Sequence, residues 1–169
     1  MPAGVALAGA EALRGARQGR FQDPYLRDAL LDFGILVDTL ECATAWDGLD
    51  RVRRAVRARC RSRPRTLCLC HLSHAYPQGA SLYVIFISRL ERIEDHQAFQ
   101  AEVLDTLRAQ GAALSHHPGI GRLLAPWLEG YLGPVQMGLF RAIKHQLDPE
   151  NLMNPGGTLG LDLPGGLSR

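Results

Sequence analysis

Histidine is the side chain that most readily moves a proton near neutral pH or takes a transition metal. Four of the six histidines fall in two pairs, His71 with His74 and His116 with His117. His71-Leu72-Ser73-His74 closes a strand-like run. On a regular strand, residues three apart point to opposite faces, so this spacing predicts that His71 and His74 do not share a ligand. His116 and His117 are adjacent and diverge in the same way. A zinc site assembled from both pairs is conceivable, but no Asp or Glu lies within either pair to complete it. The sequence reading is therefore no metal. The histidines are left with two roles, facing a bound cofactor or substrate, or making ordinary hydrogen bonds.

Other polar residues carry weaker signals. Tyr83 sits in Ser81-Leu82-Tyr83-Val84-Ile85-Phe86. Alternation places Tyr83, Ile85 and Ile87 on one face and Leu82, Val84 and Phe86 on the other, so the strand expects cover on both sides. A core tyrosine needs a partner for its hydroxyl. Arg27 can pair with Asp23 at i,i+4, or its guanidinium can grip a carboxylate or phosphate. Arg51–Arg65 holds eight arginines and no acid. Val52, Ala55, Val56, Arg59 and Cys60 form one helical face, and most of the arginines fall off it, which reads as a solvated helix. No aromatics interleave with them as a single-strand binder would want, so no nucleic-acid partner is expected. His117-Pro118-Gly119-Ile120-Gly121-Arg122 opens a helix whose N–H groups could meet an anion, but it is not the dinucleotide fingerprint.

These residues need a frame. Asp23 and Pro24 open a helix over about Tyr25–Asp32 that ends at Gly34. Ile35–Cys42 reads as a strand. Thr44 can cap a helix from about Trp46 to Ser62, stopped by Pro64. Thr66–His74 and Ala80–Leu90 read as strands joined through Pro77-Gln78-Gly79 into a hairpin. A helix covers about Asp95–Gln110 with Gly111 behind it, and Ala112–His116 reads as a short closing strand. The order β-α-β-β-α-β predicts an α+β, ferredoxin-like antiparallel sheet with both helices on one face. Gly119–Gly133 and Val135–Leu147 read as two further helices, an arm that packs on something else. The domain reading is residues 1–20 as a loosely ordered lead-in, 21–117 as the ferredoxin-like domain, and 118–169 as a C-terminal helical arm.

Composition bounds the class. The chain has 169 residues, 46% of them apolar, and a net charge of +2. Disorder, collagen and a disulfide scaffold are excluded on those numbers. No apolar run reaches the ~18–20 residues of a membrane span. The N-terminus lacks the basic start and the apolar length of a secretory signal. Its Arg14, Arg17 and Arg20 faintly suggest a transit peptide, which nothing else supports. Cys42, Cys60, Cys68 and Cys70 contain no CxxC pair, so they read as buried free thiols in a reducing compartment, the cytoplasm.

Taken together, several segments resemble a known family. Cys70-His71-Leu72-Ser73-His74-Ala75-Tyr76 with Gly79 and Tyr83, and Leu114-Ser115-His116-His117 with Gly119-Ile120-Gly121, resemble the alkyldihydroxyacetonephosphate synthase family. Asp148–Gly156 is similar to the C-terminal signature of FAD-linked oxidases, relatives of vanillyl-alcohol oxidase. Tyr25-Leu26-Arg27-Asp28 and Asp38-Thr39-Leu40-Glu41 fit the same branch. The resemblance spans residues 19–160. It implies a cap, or substrate, domain that closes over FAD held by an FAD-binding domain or subunit outside this chain. The implied reaction exchanges the acyl group of acyl-dihydroxyacetone phosphate, a lipid precursor, for a fatty alcohol without net oxidation.

The resemblance also implies roles. Tyr83, His116 and His117 would be catalytic. Arg27, His71 and His74 would bind substrate, and Gly119, Gly121 and Asn154 would approach the cofactor. Pro118 stands where the family has a histidine, with neither a proton to transfer nor a backbone N–H. Metal-using oxidoreductases of the superfamily carry a Gly-Asp-Gly-Asn-x-His hairpin that Ala75-Tyr76-Pro77-Gln78-Gly79 does not match. A flavin-dependent oxidation of a hydroxy acid or alcohol is the alternative reaction, and an inactive cap or interaction subunit is the non-enzymatic one. Peripheral membrane association of the whole enzyme and a homodimer are compatible with this reading.

Overall fold

The computed structural model describes residues 23–89, 91–157, 159 and 161, together with Gly15 and Gly19. The rest of the lead-in and the end of the C-terminal arm lie outside the described residues. Helix α1 (Asp23–Asp32) runs into a turn at Gly34, whose φ of 68° lets the chain reverse into strand β1 (Ile35–Ala45). Helix α2 (Leu49–Ser62), hairpin strands β2 (Thr66–Tyr76) and β3 (Gly79–Arg89), and helix α3 (Ile93–Ala109) follow. The C-terminal pair is α4 (Gly121–Leu132) and α5 (Pro134–Leu147). Among the described residues no helix is long and apolar enough to cross a membrane.

The sheet order is β1-β3-β2, all antiparallel. Ala113 bridges Ala43 on the outer side of β1. This is the ferredoxin-like order with its fourth strand reduced to a single bridge. The expected Ala112–His116 strand ends early because the chain leaves the ladder after Ala113, and the His117 N–H goes to the Glu41 side chain at 3.1 Å. The other boundaries move by a few residues. Thr44 does not cap α2. Instead β1 continues to Ala45, and Trp46-Asp47-Gly48 makes the turn, with the Trp46 indole N–H donating to the carbonyls of Tyr76 and Pro77 at 3.0 and 3.2 Å. Gly79 is required where it stands, since a Cβ there would lie 2.1 Å from the Thr44 carbonyl oxygen.

Alternation sorts the sheet as expected. Leu82, Val84 and Phe86 of β3 are at most 1% exposed and pack with Leu40 and Cys42 of β1 under α2 and α3. Val52, Val56 and Cys60 supply the α2 face, and Phe99, Val103 and Leu107 the α3 face. Phe86 meets Phe99 edge to face at 5.5 Å. Asp38 fixes α3 to β1 by accepting from Gln100 at 2.8 Å, with His96 Nε2 at 3.1 Å, so His96 is a structural histidine. All four cysteines are free thiols, three of them buried. Burial pushes the Cys42 thiol up to about 12, as expected of an inert core residue.

The helical arm is split in its allegiance. Leu124 and Trp127 of α4 join the main core, and the Trp127 indole N–H donates to Asp105 at 2.8 Å. From α5 only Met137 is buried. The Glu129–Arg141 pair at 2.7 Å joins α4 to α5.

Candidate functional site

The second face of the sheet carries the chemistry. Glu41, Tyr83 and His71 stand in register across β1, β3 and β2, and residues in register share a face. Their neighbours on that face are Ile85, Ile87, Leu67 and Leu69, and the last two are 55% and 47% exposed. His71 stacks on the Tyr83 ring with centroids 5.2 Å apart. Among the described residues the Tyr83 hydroxyl has no hydrogen-bond partner.

A bulge brings His74 to the same face. Leu72 pairs with Leu82 and Ala75 with Ala80, so β2 spends one more residue than β3 between those pairs. The extra residue inverts the alternation beyond Leu72. The expectation that His71 and His74 point to opposite faces is thereby corrected. His74 lies against His117 with ring centroids 4.3 Å apart, and its Nδ1 is 3.8 Å from Glu41 Oε1.

The centre of the cluster is Glu41, which sequence reading passed over. It is 5% exposed. The Ser81 hydroxyl donates to its Oε1 at 2.8 Å, and the His117 backbone N–H donates to its Oε2 at 3.1 Å. Nδ1 of His117 lies 2.9 Å and Nδ1 of His116 3.2 Å from Oε1. Burial by itself would raise the Glu41 carboxyl, but the contacts with His117, Ser81 and His116 outweigh it and hold the group at about 2. The adjacent histidines converge rather than diverge, with their Nδ1 atoms 2.9 Å apart. The tight turn at Ser115–Pro118 lets both rings reach one carboxylate. One ligating atom from each of Glu41, His74, His116 and His117 lies within 4.8 Å of the others. The premise that no acid serves the histidine pairs is therefore corrected, because the fold delivers one from β1.

Two cavities flank this cluster. One of about 320 Å³ is mostly apolar and is lined by Thr44, Tyr76, Gln78, Ala80 and His116. The other, about 200 Å³, lies between Glu41, Leu114, Pro118, Gly119 and Gly121. Gly119 and Gly121 have φ of 76° and 54°, and a Cβ at either would meet nothing within 4 Å. The backbone at the start of α4 is thus open to a neighbour.

Two predicted site residues stand apart from the cluster in their described contacts. Arg27 is on α1, where it pairs with Asp28 at 3.1 Å. Asn154 sits in the tail turn with φ of 50°, and its carbonyl accepts the Gly157 N–H at 3.0 Å. That turn is tied to α4 through Arg122, which donates to the Pro155 carbonyl at 3.1 Å.

Comparison with known proteins agrees with this architecture. The family model of FAD linked oxidases, C-terminal domain, matches residues 5–158. Alkyldihydroxyacetonephosphate synthase of Dictyostelium discoideum is 31% identical over 145 residues, covering 80% of this chain and 24% of that protein. Glycolate oxidase subunit GlcD of Bacillus subtilis (strain 168) is 34% identical over 73 residues, 43% of this chain and 15% of that protein. A solved alkyldihydroxyacetonephosphate synthase superposes with a TM-score of 0.57 at 25% identity, over 80% of this chain and 23% of that one. The chain thus spans about a quarter of the length of the synthases it matches. It belongs to the family of FAD-linked oxidase C-terminal domains.

Proposed function

We propose that this chain is the substrate-side cap of an FAD-dependent enzyme of the alkyldihydroxyacetonephosphate synthase type. It would take part in exchanging the acyl group of acyl-dihydroxyacetone phosphate for a fatty alcohol. The carrying observation is the uncovered sheet face. Tyr83, His71 and the Glu41 cluster stand together on it, and among the described residues the Tyr83 hydroxyl has no hydrogen-bond partner. Bound FAD would supply a ring able to take and return an electron pair. The residues here fit a neighbour of that kind, since the open backbone at Gly119 and Gly121 lies beside the cluster.

In this reading Tyr83 moves the proton at the reacting carbon, with His71 packed against its ring. His116 and His117 donate to substrate oxygen, and His74 lines the same face. Arg27 holds the phosphate once an FAD-binding domain completes the site, and Asn154 lies where the tail meets the cofactor. The apolar cavity beside His116 suits a hydrocarbon chain. The free thiols support a reducing compartment, the cytoplasm.

The test is Tyr83→Phe in the whole enzyme. The expected result is a loss of about 10²-fold or more in turnover, with flavin content and fold unchanged. Near-normal turnover removes Tyr83 from the reaction. A second reading, oxidation of a hydroxy acid, rests on the partial match to glycolate oxidase subunit GlcD. Anaerobic substrate addition separates the two. An oxidase bleaches its flavin in proportion to substrate, whereas acyl-for-alkyl exchange leaves the flavin oxidised at the end.

A further inference from the structure

We propose that Glu41, His74, His116 and His117 form a binding site for a divalent transition-metal ion of the zinc or cobalt class. Nδ1 of His117 and of His116 lie 2.9 and 3.2 Å from Glu41 Oε1, Nδ1 of His74 lies 3.8 Å from it, and the two loop Nδ1 atoms are 2.9 Å apart. In a tetrahedral site with metal–ligand bonds of about 2.0–2.1 Å, the ligand atoms stand about 3.3–3.4 Å from one another. The separations here bracket that edge length, so a small displacement of each side chain seats an ion among them.

A proton count points the same way. Three imidazole nitrogens and the Ser81 hydroxyl all approach Oε1, while Oε2 takes the His117 backbone N–H. A carboxylate oxygen has about two lone-pair sites to offer. The three Nδ1 atoms also conflict with one another. Two protonated nitrogens 2.9 Å apart set N–H against N–H, two bare ones set lone pair against lone pair, and in a mixed pair, where one ring donates to the other, the bare nitrogen still sets its lone pair against Glu41 Oε1. A cation at the centre removes all three conflicts, because every lone pair then turns toward it.

The donor set selects the ion. Three imidazoles and one carboxylate suit zinc, cobalt or nickel, whereas calcium and magnesium take shells of oxygen. Outer contacts of the kind that orient metal ligands are already in place. The fully buried Ser81 hydroxyl and the His117 N–H both hold Glu41. His74 and His117 are about half exposed, which gives an ion a path from solvent. Ligation through Nδ1 leaves the Nε2–H of each ring able to donate, so the proton-donating role proposed above does not depend on the ion.

The purified chain, stripped with a chelator, is titrated with cobalt(II) and then zinc(II), and bound metal is counted by elemental analysis after dialysis. The expected result is stoichiometric binding, the visible bands of tetrahedral cobalt, and their loss on zinc addition. His74→Ala and Glu41→Gln are expected to bind about tenfold more weakly or worse. His71→Ala, on the same face but outside the cluster, is expected to bind as the parent does. Thermal unfolding establishes that each variant is folded, and zinc is expected to raise the midpoint of the parent and of His71→Ala but not of His74→Ala. Should Glu41→Gln fail to fold, the half-exposed His74 position decides. A folded parent that retains no metal overturns the site. So does undiminished binding by His74→Ala, and so do sulfur-to-cobalt charge-transfer bands, which would put the ion on the cysteines. No flavin enters these measurements, so their outcome is separate from that of the flavoenzyme reading.

Discussion

Glu41 holds a charge where burial alone would discourage one, and it does so through its neighbours. The Ser81 hydroxyl and the His117 N–H each donate to it, and hydrogen bonds to ionised groups are worth roughly 1.5–3 kcal/mol. Ser81→Ala is therefore expected to cost about that much in urea unfolding, whereas His74→Ala is expected to fall within about 0.5 kcal/mol of the parent. His74 is half exposed and its Nδ1 is 3.8 Å from the carboxylate, so little is lost with it. Equal costs at the two positions would mean that the cluster is not organised around Glu41. The histidines were legible in the sequence because their type and pairing mark them. Glu41 was not, because it is 33 residues from His74 and 75 from His116 along the chain. The one signal available was its place in Thr39-Leu40-Glu41-Cys42, an acid alternating with two apolar residues on a strand.

At the scale of elements, hydrophobic alternation and Gly/Pro punctuation located helices α1–α5 and the hairpin. They failed where the ladder itself is irregular. The β2 bulge has no marker in Leu72-Ser73-His74-Ala75, and the fourth strand is cut short by a side-chain contact rather than by a breaker. Correct alternation predicts unequal costs on the two faces of the sheet. Phe86→Ala, on the helix-covered face, is expected to cost about 3–5 kcal/mol in chemical unfolding. Leu69→Ala, 47% exposed on the other face, is expected to cost well under 1 kcal/mol in the chain alone. The tail has its own lock. Asp148 accepts the N–H groups of Leu152 and Met153 at 2.9 and 3.0 Å and pairs with Lys144, which holds its carboxyl below the ordinary 3.8. A carboxyl depressed in the folded state stabilises above its unfolded pKa and stops doing so as pH falls through the folded one. The Leu152 and Met153 amide resonances are thus expected to hold as pH falls to about 3.8 and to lose their native positions below it. Lys144→Met is expected to move that change to higher pH. A tail that lets go at the same pH in both proteins would show that Lys144 does not set the lock.

At the scale of the molecule, the apolar surface left over is too ordered to be incidental. On α5, Val135, Leu139, Ile143 and Leu147 recur every fourth residue and are 76%, 62%, 55% and 77% exposed. Leu67 and Leu69 add to the open sheet face, and Leu152 and Met153 to the tail. Fully burying a side chain of this size is worth about 1.5–3 kcal/mol, so the α5 row alone could hold a partner domain by several kcal/mol. A chain that spans about a quarter of its relatives' length has such a partner available in the remaining three quarters, and in the reading proposed here it is the FAD-binding domain. The stability of the cap and its docking should then separate. Replacing the four α5 residues by serine is expected to leave the unfolding free energy of the chain within about 1 kcal/mol, since none of them is in the core. The same change is expected to reduce self-association in size-exclusion chromatography and to abolish pairing with a co-expressed FAD-binding domain. Trp127→Ala, one helix away but inside the core, is expected to do the reverse and cost about 3–5 kcal/mol in the chain alone. If the serine variant unfolds as readily as Trp127→Ala, α5 belongs to the cap's own core and the partner surface lies elsewhere. If it stays folded and still pairs, the open sheet face carries the contact, and charged replacements at Leu67 and Leu69 become the decisive variants.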